Sequence, residues 1–265
     1  MDEKEVNILQ RRTVRVLTGG QILGGFALGS TLSIGSLLAA SLSGSPAWAG
    51  SAATFSTLGA ATWAIPLARL ANSHGRKVSL AAGAALAIFG AIFVITAAAI
   101  GFFPLLLLAL FMLGGGSAAG LQARFAAVDL DSASSRSTGR DLATVVWATT
   151  IGAVIGPNLF GPGEFVGRLL GLPQMTGPFL FTIVAQFSAA AVFWFGLRPD
   201  PLLVAKDLNK AKGGLKPKVS IQTAFATLRA YPTAAFAVVS IALSHMVMVA
   251  VMSMTPLHMH HLGYD

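Results

Sequence analysis

The chain alternates between long intervals with no charged side chain and short connectors in which charges, Gly and Pro gather. From Arg15 to Arg69 there are 53 consecutive positions without Asp, Glu, Lys or Arg, broken only by the turn-forming Ser43, Gly44, Ser45 and Pro46. About 20 apolar residues carry a helix across the hydrocarbon core of a bilayer. The interval therefore predicts two spans and a hairpin, at residues 16–41 and 50–68. The charge-free run 78–123, broken at Gly101 to Pro104, predicts spans 78–100 and 103–123. Single spans follow at 142–163, 177–197 and 233–257. In lipid each backbone amide must be satisfied within a helix or a closed barrel, and these runs lack the alternation of barrel strands. The predicted fold class is an all-α membrane protein of seven spans.

Composition changes the picture by exclusion. Of 265 residues, 54% are hydrophobic and 11% charged, against about 25% charged in soluble chains, which excludes a soluble enzyme. The absence of cysteine excludes a disulfide framework, a thiolate metal site and a cysteine nucleophile. The net charge of +8 does not mark a nucleic-acid surface, because the basic residues sit in connectors between apolar runs. The lipid bilayer is the first expected partner. Counting along the connectors, 17 of the 18 basic residues fall on one side and Arg168 alone on the other. The positive-inside rule then predicts a multi-pass plasma (inner) membrane protein with a cytoplasmic N-terminus and Asp265 outside. A cleavable signal ending near Ala47, Trp48 and Ala49 is the competing reading of the start. The first span is too long for it and carries glycines at 19, 20, 24, 25, 29 and 35, as packed membrane helices do.

The spans are unevenly spaced. Residues 1–197 form a six-helix unit with short connectors, 198–232 a Lys- and Pro-rich linker, and 233–265 one further helix. Secondary transporters are often two six-helix halves joined by a cytoplasmic linker. Within the linker Val219, Ile221, Phe225 and Leu228 suggest a short interfacial helix, a disordered basic tether being the alternative.

Two motifs carry a family resemblance. The connector from Ala68 to Lys77 contains Leu70, Asn72, Gly75, Arg76 and Lys77; it resembles the Gly-x-Leu-Ala-Asp-Arg-x-Gly-Arg-Lys loop of the major facilitator superfamily. Gly152, Gly156, Pro157 and Gly161 resemble the Gly-x-x-x-Gly-Pro-x-x-x-Gly signature on the fifth helix of drug/proton antiporters of that superfamily. Small residues four apart permit close helix approach, and proline can kink a helix. The resemblance covers the chain as the first six helices plus helix 7, and implies alternating-access transport of a small molecule, with protons as coupling ion and efflux as direction. In that family the signature acid helps latch one access state; here it is Asn72. Gly114 to Ala119 resemble the small-residue part of a fourth-helix pattern, with Phe111 where the family often has arginine.

No Asp or Glu falls inside the predicted spans, so the proton carrier is expected to be His245, near the middle of the seventh, or to lie beyond this chain. Met248, Met252 and Pro256 share its helical face, and with Gln21 and Thr31 they complete the expected transport-cavity residues. A hydrogen-bonded histidine between helices is the alternative. The Met and His residues near the end, among them Met254, Met259, His258, His260 and His261, raise soft-metal transport as a minor reading. No resident metal, cofactor or ATP-binding loop is expected. The length predicts a truncated chain, which makes an inactive fragment the alternative function, and a membrane-embedded enzyme is disfavoured for want of a nucleophile and base.

Overall fold

The computed structural model describes residues 3–130, 138–211, 226 and 228–261. Every regular element among them is helical: α1 (Glu3–Ser43), a short 3-10 turn (Pro46–Trp48), α2 (Ser51–His74), α3 (Arg76–Ile100), α4 (Phe103–Ala126), α5 (Thr138–Asn158), α6 (Phe160–Leu169), α7 (Gly177–Gly196), α8 (Pro201–Ala211) and α9 (Pro232–His261).

The spans and the elements differ instructively. Helix α1 is 41 residues long, about 60 Å at the usual helical rise, because the basic tail continues the first span. Val6, Leu9, Gln10, Thr13, Val14 and Leu17 recur at intervals of three and four and are all buried, which is the stripe of an amphipathic helix. The expected fifth span is a bent pair, with Thr138–Gly156 and Phe160–Leu169 meeting at 57°. Pro157 lies at the break, where it removes the N–H that would bond one turn back. Among the described residues, four segments are long and apolar enough to cross a membrane, Arg76–Ile100, Phe103–Ala126, Gly177–Lys210 and Pro232–Val251, with a fifth where the bent pair counts as one span. Helix α2 is 24 residues long but is made less apolar by Thr54, Ser56, Thr57, Thr62 and Pro66. Of the suggested linker helix, Val219, Ile221 and Phe225 lie outside the described residues. Helix α8 follows α7 after four residues.

Packing runs through small residues. Helix α1 lies against α5 and α7, α3 against α4 and α7, and α2 against α4. Successive helical positions turn by about 100°, so consecutive glycines serve different neighbours. A Cβ at Gly114 would strike the Ser56 carbonyl on α2, whereas one at Gly115 would lie 2.7 Å from Leu86 and one at Gly116 2.9 Å from Ala87, both on α3. Phe111, where the resembled pattern has arginine, packs against Trp63 with ring centroids 6.1 Å apart and planes tilted by 53°. The cores follow the bundle axis: Ile34, Leu38, Val94, Leu106, Leu110 and Phe179 toward one end, Leu17, Leu80, Ala123, Val145, Phe193 and Leu197 toward the basic end. Helix α9 touches the bundle along α1 and α2, and none of its stretch Pro232–Val251 is buried.

Candidate functional site

The signature loop is a tight joint, a single residue between two long helices. Gly75 has φ +94°, which L side chains rarely adopt, and its N–H closes α2 on the Ala71 carbonyl at 2.9 Å. The turn delivers Arg76 to the end of α4. Arg76 Nε donates to Asp129 Oδ2 at 2.7 Å and Nη2 to Asp129 Oδ1 at 3.0 Å. The side chains are 12% and 11% exposed, so this planar two-bond pair is shielded from water far more than a surface ion pair. A third guanidinium nitrogen reaches Gln122 Oε1 at 3.5 Å. Ser79 Oγ lies 2.7 Å from the Leu67 carbonyl and 3.2 Å from Gln122 Oε1, and Gln122 Nε2 donates to the Ala64 carbonyl at 3.4 Å. Helices α2, α3 and α4 are thereby joined by one polar network at the basic end.

The other residues of the loop meet α7 and α8. Lys77 N–H donates to Asp200 Oδ2 at 2.9 Å, and its ammonium stands 5.7 Å over the Trp194 ring, a cation–π distance. Lys206 Nζ donates to the Asn72 carbonyl, while the Asn72 side chain is exposed and Leu70 half-buried. On the far side of the bundle end, Gln10 Nε2 donates to the Ala127 carbonyl at 2.7 Å and to Asp141 Oδ2 at 2.9 Å; both residues are buried.

The fifth-helix motif divides. A Cβ at Gly152 would strike the Ile22 carbonyl and lie 2.8 Å from Gly25 Cα, and one at Gly156 would lie 3.0 Å from Gly29 Cα. Two glycine ridges, 25 and 29 on α1 and 152 and 156 on α5, thus face each other as small-xxx-small packing requires. Gly161 has open space around it, because it lies beyond the bend. The Pro157 side chain is outside the described set. Gln21 extends the ridge by one turn: its Nε2 donates to the Gly120 carbonyl at 3.0 Å and to Thr149 Oγ1 at 3.1 Å, so it is committed to the α1–α4–α5 contact and is 3% exposed. His245 and Met248 are exposed on α9. The side chains of Thr31, Met252 and Pro256 lie outside the described residues, as do those of Met254, Met259, His260 and His261.

Glu164 lies on α6, just past the bend. Its Oε1 is buried without a hydrogen-bond partner among the described residues, and Arg168, one turn on, is exposed. Asp129, Gln122, Asp200, Gln10 and Asp141 were not legible as site residues. Their long-range partners lie 43 to 131 positions away, and nothing in local spacing pairs them.

Among the described residues, packed apolar helices, a one-residue turn holding a shielded ion pair, and glycine-lined helix contacts define a polytopic all-α membrane protein. The chain belongs to the Major Facilitator Superfamily, whose family model matches residues 17–265. It is similar to the uncharacterized MFS-type transporter YdeG of Bacillus subtilis (strain 168), being 37% identical over 257 residues that cover 97% of this chain and 59% of that protein. The uncharacterized MFS-type transporter YddS of the same organism is 36% identical over 260 residues, with the same coverage of 97% and 59%. The chain thus spans about three-fifths of the length of these curated relatives. No solved structure matches it.

Proposed function

We propose that this chain is the N-terminal portion of a secondary transporter that moves a small molecule across the plasma membrane by alternating access, with its N-terminus in the cytoplasm. The observation that carries the reading is the α2–α3 turn, where Gly75 presents Arg76 to Asp129 as a shielded pair at the end holding most of the basic residues. Such a pair is stable while the helices stay together and is costly to leave half-broken, so it favours two discrete arrangements over a continuum. In this reading residues 1–197 are the first bundle, 198–232 the cytoplasmic linker and 233–265 the first helix of a second bundle. Leu70, Asn72, Gly75, Arg76 and Lys77 form the gate, and Gly152 and Gly156 form the contact on which α1 and α5 rock. The protein acts without an enzymatic step or cofactor. Protons are the coupling ion and efflux the direction, with His245 on α9 as the proposed proton carrier beside Met248 and Met252.

The test is flux in proteoliposomes with an imposed pH gradient, with ethidium and a sugar panel as probes, for this chain beside a version extended to the length of its relatives. Gradient-driven movement by either chain supports transport. No movement of any probe by either rejects it. In whichever chain transports, His245→Ala should flatten the dependence of flux on pH, and an unaltered profile removes histidine as the carrier.

A further inference from the structure

We propose that Asp200 is the positioning residue of the signature loop, a single buried carboxylate that holds the N-termini of both α3 and α8 and so ties the linker to the gate. The first N–H groups of any helix lack partners within it. Helix α3 begins directly after Gly75, which offers no side-chain cap, and Asp200 Oδ2, 123 residues away, accepts from the Lys77 N–H at 2.9 Å. The other oxygen, Oδ1, accepts from Leu202 N–H at 3.1 Å and Leu203 N–H at 3.4 Å, the positions an N-cap side chain serves in its own helix. Pro201 stands at the first helical position, where its missing N–H costs nothing. Two helix ends, each worth about half a positive charge, therefore converge on one anion that is 6% exposed.

Three further observations place this contact above a local cap. A Cβ at Gly75 would lie 2.5 Å from Asp200 Oδ2, so glycine at 75 is what admits the carboxylate. Lys206, two turns along α8, donates to the carbonyl of Asn72 in the last turn of α2, where a cation complements the negative helix end. Helix α8 thus sets an acid against the start of α3 and a base against the end of α2, matching both poles of the turn. Leu9 of α1, Leu130 beyond α4, and Ala205 with Val204 of α8 form an apolar cluster at the same end. Residues 72–77 contain no acid of their own; the negative charges that meet them arrive from Asp129 and Asp200. Because α8 heads the segment leading to α9, displacement of that segment pulls on the carboxylate that holds the loop.

The last step, in which the held loop is the closed gate, rests on the transport reading; the docking itself does not. Hydrogen–deuterium exchange of the 265-residue chain in nanodiscs tests the docking, with residues 84–97 of α3 as internal control for folding. Asp200→Ala should speed exchange about tenfold in both 76–79 and 201–204. Asp200→Asn keeps an acceptor and should restore most of the protection in both segments, which also serves should the alanine variant fail to fold. Faster exchange in 201–204 with 76–79 unchanged reduces Asp200 to the cap of its own helix and overturns the proposal, as does no change in either segment. In a chain that moves ethidium, Asp200→Ala should alter the ratio of rates measured from the two membrane faces. Equal ratios despite faster exchange in 76–79 overturn the link to the gate. A wild type that moves no probe while its exchange pattern is as expected defeats the transport reading and leaves the docking standing.

Discussion

Three glycines of one sequence motif have three different surroundings, and that difference sets a quantitative order. At Gly152 an added Cβ meets only backbone, the Ile22 carbonyl and Gly25 Cα at 2.8 Å. No rotamer change can relieve it. Ordinary carbon contacts lie near 3.5 to 4.0 Å, so α1 and α5 must separate by about 1 Å. One turn away, the Gln21 hydrogen bonds of 3.0 and 3.1 Å would then stretch beyond useful range. Overpacking of about 1–3 kcal/mol together with a weakened buried hydrogen bond of about 1 kcal/mol gives roughly 2–4 kcal/mol for Gly152→Ala. At Gly156 the approach is 3.0 Å, and about 1 kcal/mol is expected. Gly161→Ala meets nothing within 4 Å and should be neutral or stabilising by up to about 1 kcal/mol through helix propensity. The assay is thermal unfolding of the detergent-solubilised chain by circular dichroism. At about 2–4 °C per kcal/mol for a chain of this size, Gly152→Ala should lower Tm by roughly 4 to 16 °C, Gly156→Ala by a few degrees and Gly161→Ala not at all. A Gly152→Ala Tm equal to that of Gly161→Ala would refute the facing glycine ridges.

Other outcomes follow from the same contacts. Asp129→Ala strands the Arg76 guanidinium in a shielded site and should cost about 2–3 kcal/mol, while the double variant with Arg76→Ala costs clearly less than the sum; an additive cycle in denaturation midpoints would deny the coupling. Gln21→Leu removes two interhelical hydrogen bonds and should lower stability by about 1–2 kcal/mol, read as a Tm shift, with an unchanged Tm counting against its role between α1, α4 and α5. Asn72→Asp puts a carboxylate on an exposed residue whose carbonyl Lys206 already holds, so stability should change by no more than about 1 kcal/mol. Its effect should show instead in the accessibility of introduced cysteines to maleimide from each face, and identical labelling of both forms would set aside a latch at 72. His245→Ala, at an exposed position, should leave stability within about 0.5 kcal/mol of wild type in thermal unfolding; a larger loss would place His245 in a structural contact.

Much of this architecture is local information. Charge-free runs of the length of a bilayer locate α3, α4, α7 and α9 to within about four residues and α2 at its start, because hydropathy and helix length are properties of consecutive positions. Small residues four apart at 152 and 156 announce a packing face for the same reason, and a lone Gly at 75 between two apolar runs announces a turn. Even the continuation of α1 through Val6, Leu9, Gln10, Thr13, Val14 and Leu17 was present in the pattern, hidden because charges between those positions read as a tail. The partners of these faces were not present in it. That Gly152 meets Gly25, that Arg76 finds Asp129 and not another acid, that Gln21 turns into the contact between α1, α4 and α5, and that Asp200 accepts from Lys77, 123 residues earlier, are decided by how rigid helices stack. Burial strengthens a polar pair only where packing has already excluded water, so which polar residues matter is settled by the assembled bundle, whereas which segments are helices is settled by the chain's own succession of residues.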